Sequence, residues 1–319
     1  MCGIAGFVCT DRKSDDSTTQ TVARRMISVL SHRGPDDSGI WVDNTMGVAL
    51  AHARLAIIDL SENGHQPMLS SAGRYAIVFN GEIYNHKILA AELNKGGVQF
   101  RGHSDTEVLL AAMENWGIVS AVQQAVGMFA MAVWDRQEKE LCLIRDRMGE
   151  KPLYYGWQGN TLVFASELRS FREYPGFDTQ LDLDALSLYL RFGYIPGPHS
   201  IFQGVHKLPP GTILRIPANH GPSPSAVSRA GAAKDSQHSP TPYWSVKEAA
   251  NRGLGDRIVD EDLAVVELEE LLCEAIRGQL VAEVPLGAFL SGGVDSSTVV
   301  ALMCCESRNP VRTFTIGFD

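Results

Sequence analysis

The sequence predicts an α+β domain followed by the opening of an α/β domain with a parallel sheet. Three observations carry this. Residues 1–190 are rich in short strand-like segments and poor in helical stripes. Residues 217–242, PANHGPSPSAVSRAGAAKDSQHSPTP, are Pro-, Ser- and Ala-rich with almost no large apolar side chain, the composition of a flexible insert. Beyond residue 259 come a long amphipathic helix and then a strand–loop–helix–strand succession. The expected division is a first domain over 2–190, a connector over 191–258 and an incomplete second domain over 259–319.

In chain order, Ile4–Val8, Met46–Leu50, Arg74–Asn80, Gly127–Trp134 and Leu141–Arg145 read as strands, several with period-2 alternation. The polar run Asp135–Glu140 makes the last two a hairpin. Leu153–Trp157 and Thr161–Ser166 flank Gln158-Gly159-Asn160, a second hairpin signal. A helix begins at HSDTEVLLAAMENWG, where Ser104 and Glu107 form an S-x-x-E capping box. Its apolar stripe is Val108, Leu109, Ala112, Met113 and Trp116. Asp182–Arg191 reads as a short helix. Val259–Glu283 is helical, with Leu268, Leu271, Leu272, Ala275, Ile276 and Leu280 on one face. An apolar run Val284–Leu290, the stretch SGGVDSS, a helix Ser297–Cys305 and a strand Arg312–Ile316 close the chain. Two parallel strands leave both faces of a sheet open, so the chain is expected to be a fragment of a longer protein.

The 319 residues are 45% hydrophobic, enough for two cores, and carry a net charge of −9 with no basic stripe. Binding through a nucleic-acid backbone is therefore not expected. Six cysteines include no CxxC pair, and nine histidines show no metal-binding spacing. Neither a signal peptide nor an apolar run of membrane length is visible. The expected setting is a reducing cytoplasm, with no membrane partner.

MCGIAGF places a thiol at position 2, directly before a strand. Removal of Met1 would give Cys2 a free α-amine, which can take the thiol proton, so that one residue supplies nucleophile and base. Gly3 would let a substrate approach the backbone. Taken alone, the stretch reads first as a small buried hydrophobe at the chain start.

Other stretches change that balance. SHRGPDDSGIW (31–41), AHARLAIIDL (51–60), FNGEIYNH (79–86), GHSDTEVLL (102–110) and RDRMGEKPLYYG (145–156) follow MCGI in order. Together they resemble the class II glutamine amidotransferases, whose glutaminase domain is an N-terminal-nucleophile αββα sandwich. The resemblance implies that Cys2 attacks the glutamine side-chain carbonyl and forms a thioester. It implies that Asn80 and Gly81 are the oxyanion donors and that Arg54 clamps the α-carboxylate. The backbone of Leu55 through Ile57 and Ile58 would line the pocket, and Glu82 and Asp105 would hold the α-ammonium. The HRGPD loop containing Arg33 is expected to cover the substrate. Each has a plainer alternative: Arg54 a surface ion-pair partner, Asn80-Gly81 a turn, Asp105 a helix-dipole acid, Arg33 a loop anchor.

SGGVDSS (291–297) lies between a strand and a helix, where glycines and small hydroxyls let N–H groups surround a phosphate. It lacks the lysine of a Walker A loop. It resembles the pyrophosphate loop of ATP pyrophosphatases. With YIPGPHSIFQGVHKLPPGTIL (194–214), Tyr243-Trp244 and VPLGAFLSGGVDSS, the whole chain outside 217–242 is similar to the glutamine-hydrolysing asparagine synthetase family. That resemblance implies ATP-dependent conversion of aspartate through a β-aspartyl adenylate, with ammonia supplied from glutamine. Ser291, Gly292, Gly293, Ser296 and Ser297 would bind pyrophosphate, Asp295 would ligate Mg²⁺, and the backbone of Leu290 and Ile316 would contact the adenosine. Glutamine, aspartate and ATP are the expected ligands, with a homodimer allowed for. Two alternatives remain: another carboxylate acceptor, or a chain limited to glutamine hydrolysis or glutamine binding.

Overall fold

A computed structural model describes residues 1–10, 16–218, 239–307 and 309–317. Most of the Pro/Ser/Ala-rich stretch, residues 219–238, lies outside the described residues. The chain divides into two compact units: Met1–Ala56 with Ser61–Val246, and Ile57–Leu60 with Lys247–Asp319.

In chain order the first unit holds β1 (Gly3–Cys9), α1 (Asp16–Ser28), β2 (Asp37–Asp43), β3 (Val48–Arg54), β4 (Met68–Leu69), β5 (Tyr75–Ile83), α2 (His86–Lys95), α3 (Asp105–Trp116) and α4 (Ile118–Gln124). It continues through β6 (Gly127–Asp135), β7 (Glu140–Arg145), β8 (Tyr154–Gln158), β9 (Thr161–Ala165), α5 (Leu168–Arg172), α6 (Leu183–Phe192), β10 (Val205–Lys207), β11 (Thr212–Pro217) and β12 (Thr241–Pro242). Two six-stranded sheets result, in the orders β10-β8-β9-β1-β3-β2 and β12-β11-β7-β6-β5-β4.

Strand alternation explains the layering. In β1, Ile4 and Val8 face the second sheet, while Ala5 and Phe7 face α1. In β5, Ala76 and Val78 face the first sheet, while Ile77 and Phe79 face α3 and its neighbours. Trp134, Leu50, Phe164 and Leu143 fill the space between the sheets. Val22, Ala23, Met26 and Ile27 of α1, with Leu30 just after it, cover one outer face, and α2, α3 and α4 cover the other. The expected αββα sandwich is thus present, with apolar burial in three layers as its main stabilising term.

Several local expectations change. β3 starts two residues later than read and runs on to Arg54. The sequence signal faded there because His52 and Arg54 are polar at buried positions. Ser104 does cap α3, accepting from Thr106 N. Glu107 does not complete a capping box; its carboxylate instead accepts from Arg101 N and Gly102 N, both at 2.9 Å, and folds the preceding loop. The segment 191–218 contributes β10 and β11, which pair with β8 and β7. Pro217 ends β11, and Thr241–Pro242 pairs back onto Thr212 and Ile213.

The second unit contains α7 (Val246–Gly255), α8 (Glu261–Gln279), β13 (Gly287–Phe289), α9 (Val294–Glu306) and β14 (Arg312–Phe314). Asp260 caps α8 through Leu263 N. Only Ile276 of the predicted apolar face is buried. β13 and β14 are parallel neighbours, as the βαβ pattern required. α9 starts inside SGGVDSS rather than after it, because Gly293 rather than a side chain ends the loop.

Candidate active site

One geometric rule assembles the site. Even-numbered residues of β1, β3 and β5 face the space between the two sheets, as Ile4, Leu50 and Val78 show. Extended by one or two residues, the same parity puts Cys2, His52, Arg54, Asn80 and Glu82 on the inner faces at one end of the sandwich. Gly3 pairs with Ala53 and Asp37 with Arg54, so the start of β1 lies beside the end of β3.

Cys2 is held there by backbone. Leu55 N donates to its Sγ at 3.3 Å, and the thiol points back to Leu55 O at 3.5 Å. Arg33 Nε donates to Cys2 O at 2.9 Å, while its Nη1 binds Glu167 at 2.9 Å. Arg33 is therefore an anchor of the chain start. Burial pushes the thiol pKa up, against the Leu55 hydrogen bond and the neighbouring amino terminus, which lower it. Burial also lowers the pKa of the Met1 amine, against the Cys2 charge, and the charges of Arg33 and Lys151 push the same way as burial. Gly3 has a packing reason that the sequence did not reveal: a Cβ there would sit 2.9 Å from Leu30 Cβ of the segment after α1.

Asn80 and Gly81 carry unspent donors. In an antiparallel pair, opposed residues either exchange hydrogen bonds or both turn away. Phe129, opposite Gly81, sends its N–H and C=O to Asp146. Gly81 therefore turns to the other edge of β5, together with Phe79 and Ile83. Phe79 N and Ile83 N are taken by Gln66 Oε1 at 2.7 Å and Asp105 Oδ2 at 2.9 Å. The Gly81 N–H between them has no such partner among the described residues. The Asn80 side chain is 1% exposed, and its Nδ2 has no hydrogen-bond partner among the described residues. Unsatisfied buried donors are rare and call for an explanation. Gly81 also admits no side chain, since a Cβ would lie 2.2 Å from Met128 O.

The charged groups follow the same layout. Arg54 is 7% exposed and donates from Nη1 to Ser61 O at 3.1 Å. Asp105, in the first turn of α3, is fully enclosed, and burial pushes its pKa up to about 6 against the hydrogen bonds from Ile83 and Thr106. Burial, then the Asp105 charge, raises the Glu82 pKa. Ile57 and Ile58 fall in the segment grouped with the second unit. There Ile57 O accepts from Glu283 N at 3.0 Å, and Asp59 N and Leu60 N donate to the Glu283 carboxylate at 3.3 Å.

Sequence reasoning missed His52 and Gln66. His52 is fully buried, its Nε2 donates to Phe79 O at 3.0 Å, and burial lowers its pKa to about 4, so it is neutral. The only available signal was its spacing of two from Arg54 in an apolar strand. Nothing in the sequence marked Gln66.

In the second unit, Gly292 has φ +79°, a conformation that favours glycine, and Gly293 caps α9 with no side-chain hydrogen bond. Ser291 N and Ser291 Oγ both reach Ser296 Oγ, at 3.3 and 2.9 Å, which folds the loop over the start of α9. Asp295 and Ser297 lie in that first turn, and Ser297 N already donates to Gly293 O. Leu290 N donates to Phe314 O, and Leu290 O accepts from Thr315 Oγ1, so the main chain of Leu290 is engaged with the β14 strand and its end. Ile316 follows β14 and is exposed. Among the described residues no cluster of three His, Cys, Asp or Glu side chains could hold a metal on its own. No helix among them is long and apolar enough to cross a membrane.

Comparison with known proteins adds the following. A family model described as glutamine amidotransferase domain matches residues 1–224, and one described as asparagine synthase matches residues 267–319. The putative asparagine synthetase (glutamine-hydrolyzing) 2 of Methanocaldococcus jannaschii is 32% identical over 338 residues, covering 100% of this chain and 60% of that protein. Asparagine synthetase (glutamine-hydrolyzing) 3 of Bacillus subtilis is 33% identical over 326 residues, covering 100% of this chain and 48% of its own length. A Gibberella zeae protein named Amidase chry2 is 32% identical over 310 residues, covering 95% and 43%. The chain thus spans about half the length of the curated relatives it matches. The solved glutamine phosphoribosylpyrophosphate amidotransferase of B. subtilis shares the fold at TM-score 0.50 and 21% identity, over 68% of this chain and 47% of that one.

Proposed function

Because this chain belongs to the family of glutamine amidotransferase domains, we propose that it hydrolyses glutamine at Cys2. The observation that carries the reading is the pair of unspent donors, Asn80 Nδ2 and Gly81 N–H, on the strand that faces a thiol held by Leu55. After loss of Met1, the Cys2 amine takes the thiol proton as Sγ attacks the side-chain amide carbon. The oxygen that becomes negative accepts from Asn80 Nδ2 and Gly81 N. The tetrahedral intermediate collapses, the ammonium proton passes to the leaving nitrogen, and ammonia departs from a thioester. Water, deprotonated by the same amine, then releases glutamate. Arg54 clamps the α-carboxylate, and Glu82 with Asp105 holds the α-ammonium. Leu55 and the following backbone, through Ile57 and Ile58, line the pocket.

The asparagine synthase match supports a second step in the full-length protein: ATP activates the aspartate β-carboxylate and ammonia displaces AMP. Ser291, Gly292, Gly293, Ser296 and Ser297 would cradle pyrophosphate at the open N-terminus of α9. Leu290 and Ile316 would flank the nucleoside. A lone carboxylate, Asp295, fits Mg²⁺ carried on substrate phosphates, where the ion neutralises phosphate charge. The proposed division is a glutaminase domain over 2–190, a connector over 191–258 and the start of the synthetase domain over 259–319. The net charge of −9 supports a setting without nucleic acid, and six cysteines without a CxxC pair support the cytoplasm.

The test uses the 319-residue chain. Intact mass should show Met1 gone, and a glutamine-analogue diazoketone should label Cys2 alone among the six cysteines. Glutamate and ammonia should appear without ATP, and no asparagine should form from aspartate and ATP. Full turnover with Met1 retained, or labelling elsewhere, would sink the nucleophile assignment.

A further inference from the structure

We propose that Gln66 is a positioning residue for the Gly81 donor, acting through the residues that flank it on β5. The proposal deepens the glutaminase reading and rests on it. β4 pairs with β5 only at Ala76 and Ile77, so among the described residues the edge from Phe79 to Ile83 has no strand beside it. Buried N–H and C=O groups on such an edge need other partners. Side chains supply them. Phe79 N donates to Gln66 Oε1 at 2.7 Å and Phe79 O accepts from His52 Nε2 at 3.0 Å. Ile83 N donates to Asp105 Oδ2 at 2.9 Å and Ile83 O accepts from His86 Nδ1 at 2.8 Å.

The two grips are joined. Gln66 Nε2 donates to Thr106 Oγ1 at 3.3 Å, and Thr106 Oγ1 reaches Asp105 Oδ1 at 3.4 Å. Gln66, Thr106 and Asp105 therefore close a bridge from the Phe79 N–H to the Ile83 N–H, with the Gly81 N–H in its gap. Gln66, Thr106 and Asp105 are all buried. The main chain of Gln66 packs closely against β2, where a Cβ on Gly39 would lie 2.2 Å from Gln66 O. The bridge fixes the peptide planes on both sides of Gly81, and hence the direction of its N–H. In the proposed chemistry Asp105 alone of the three touches substrate; Gln66 and Thr106 do not. An oxyanion donor acts on charge that develops in the transition state, so misdirecting it lowers kcat more than it changes KM.

Gln66→Met, similar in length but without an amide, tests this in the whole chain. Active sites are counted by diazoketone labelling of Cys2, so misfolded material drops out. The expected kcat per labelled Cys2 falls about 10–100-fold, part of the effect of removing a donor outright, while KM stays within about 3-fold. Thr106→Val should follow the same pattern, and Thr106→Ser should restore kcat because the hydroxyl returns. If Gln66→Met fails to fold, the Thr106 pair carries the test. A labelled Gln66→Met with parental kcat, whatever its melting temperature, overturns the positioning role alone. A parent chain that releases no glutamate overturns the glutaminase reading and this role with it.

Discussion

Asn80 should separate activity from stability more cleanly than any other residue of the site. Its Nδ2 makes no hydrogen bond among the described residues, so Asn80→Ala breaks none there and removes a buried unsatisfied donor. The expected kcat for glutamine hydrolysis falls about 10²–10³-fold. Urea unfolding should shift by no more than about 1 kcal/mol. A variant that loses both equally would mean that Asn80 is structural. Asp105 gives the pH counterpart. In the proposed chemistry its carboxylate holds the substrate ammonium only when ionised, and burial raises its pKa to about 6. KM for glutamine should therefore rise as pH falls through about 6. Stability moves the other way: the folded state disfavours the charge, so this group's contribution worsens as pH rises from the unfolded value of 3.8 to about 6. Asp105→Asn should melt higher above pH 6 and show a high, pH-insensitive KM. Glutamine titrations and melting curves at pH 5 and pH 8 check both signs. Cys2, Arg54, Asn80-Gly81, Glu82 and Asp105 were legible in the sequence because they sit in motifs. His52 and Gln66 were not, because each acts by gripping the peptide of Phe79, and a grip on backbone leaves no residue-type pattern.

At the scale of the element, β5 does the most to build the proposed site. Its core residues were readable as a strand up to Asn80, where apolar alternation stops. The structure carries the strand on to Ile83, since Gly81, Glu82 and Ile83 still pair with Phe129, Met128 and Gly127. Sequence periodicity fails there for a physical reason: one edge of those residues is finished by side chains rather than by a strand, and one inner position faces the ligand space instead of core. Gly81→Ala tests how tightly that stretch is held. The added Cβ would meet Met128 O at 2.2 Å and Phe129 Cα at 2.7 Å, both on the backbone of the paired strand, which has no rotamer to change. Loss of about 2–4 kcal/mol in urea unfolding is expected, together with loss of turnover. A Gly81→Ala protein with parental stability would show that β5 and β6 can separate locally, against the packing described. The helices were harder to read. α1 and α2 escaped notice because their buried stripes are short, Val22, Ala23, Met26 and Ile27 in one and Leu89 and Leu93 in the other, and are diluted by polar residues.

Each unit of the molecule has its own degree of finish. In the first, both sheets are covered, and large side chains such as Trp134, Phe129 and Phe164 are fully buried. In the second, Ile276 is the only buried apolar side chain among the described residues, and Leu268, Leu271, Phe289 and Phe314 stay exposed. Two parallel strands and the helices beside them cannot bury both faces of a sheet. The sequence showed this contrast in outline, since a βαβ start is visible as a pattern while the partner that would bury it is not. Local opening free energy tracks buried apolar contact, so amide exchange should divide the chain in two. Amides of β1, β3, β5, β6 and β7 should exchange only through global unfolding of the first unit. Amides of β13, α9 and β14 should exchange at least about 10²-fold faster at neutral pH, a gap of about 3 kcal/mol in opening free energy. Equal protection in both units would mean that the second is buried by contacts outside its own fold. The same experiment on the chain labelled at Cys2 by the diazoketone adds a control. The diazoketone adduct on Cys2 should slow exchange at Gly81, whose N–H it occupies, and should leave β13 and β14 unchanged.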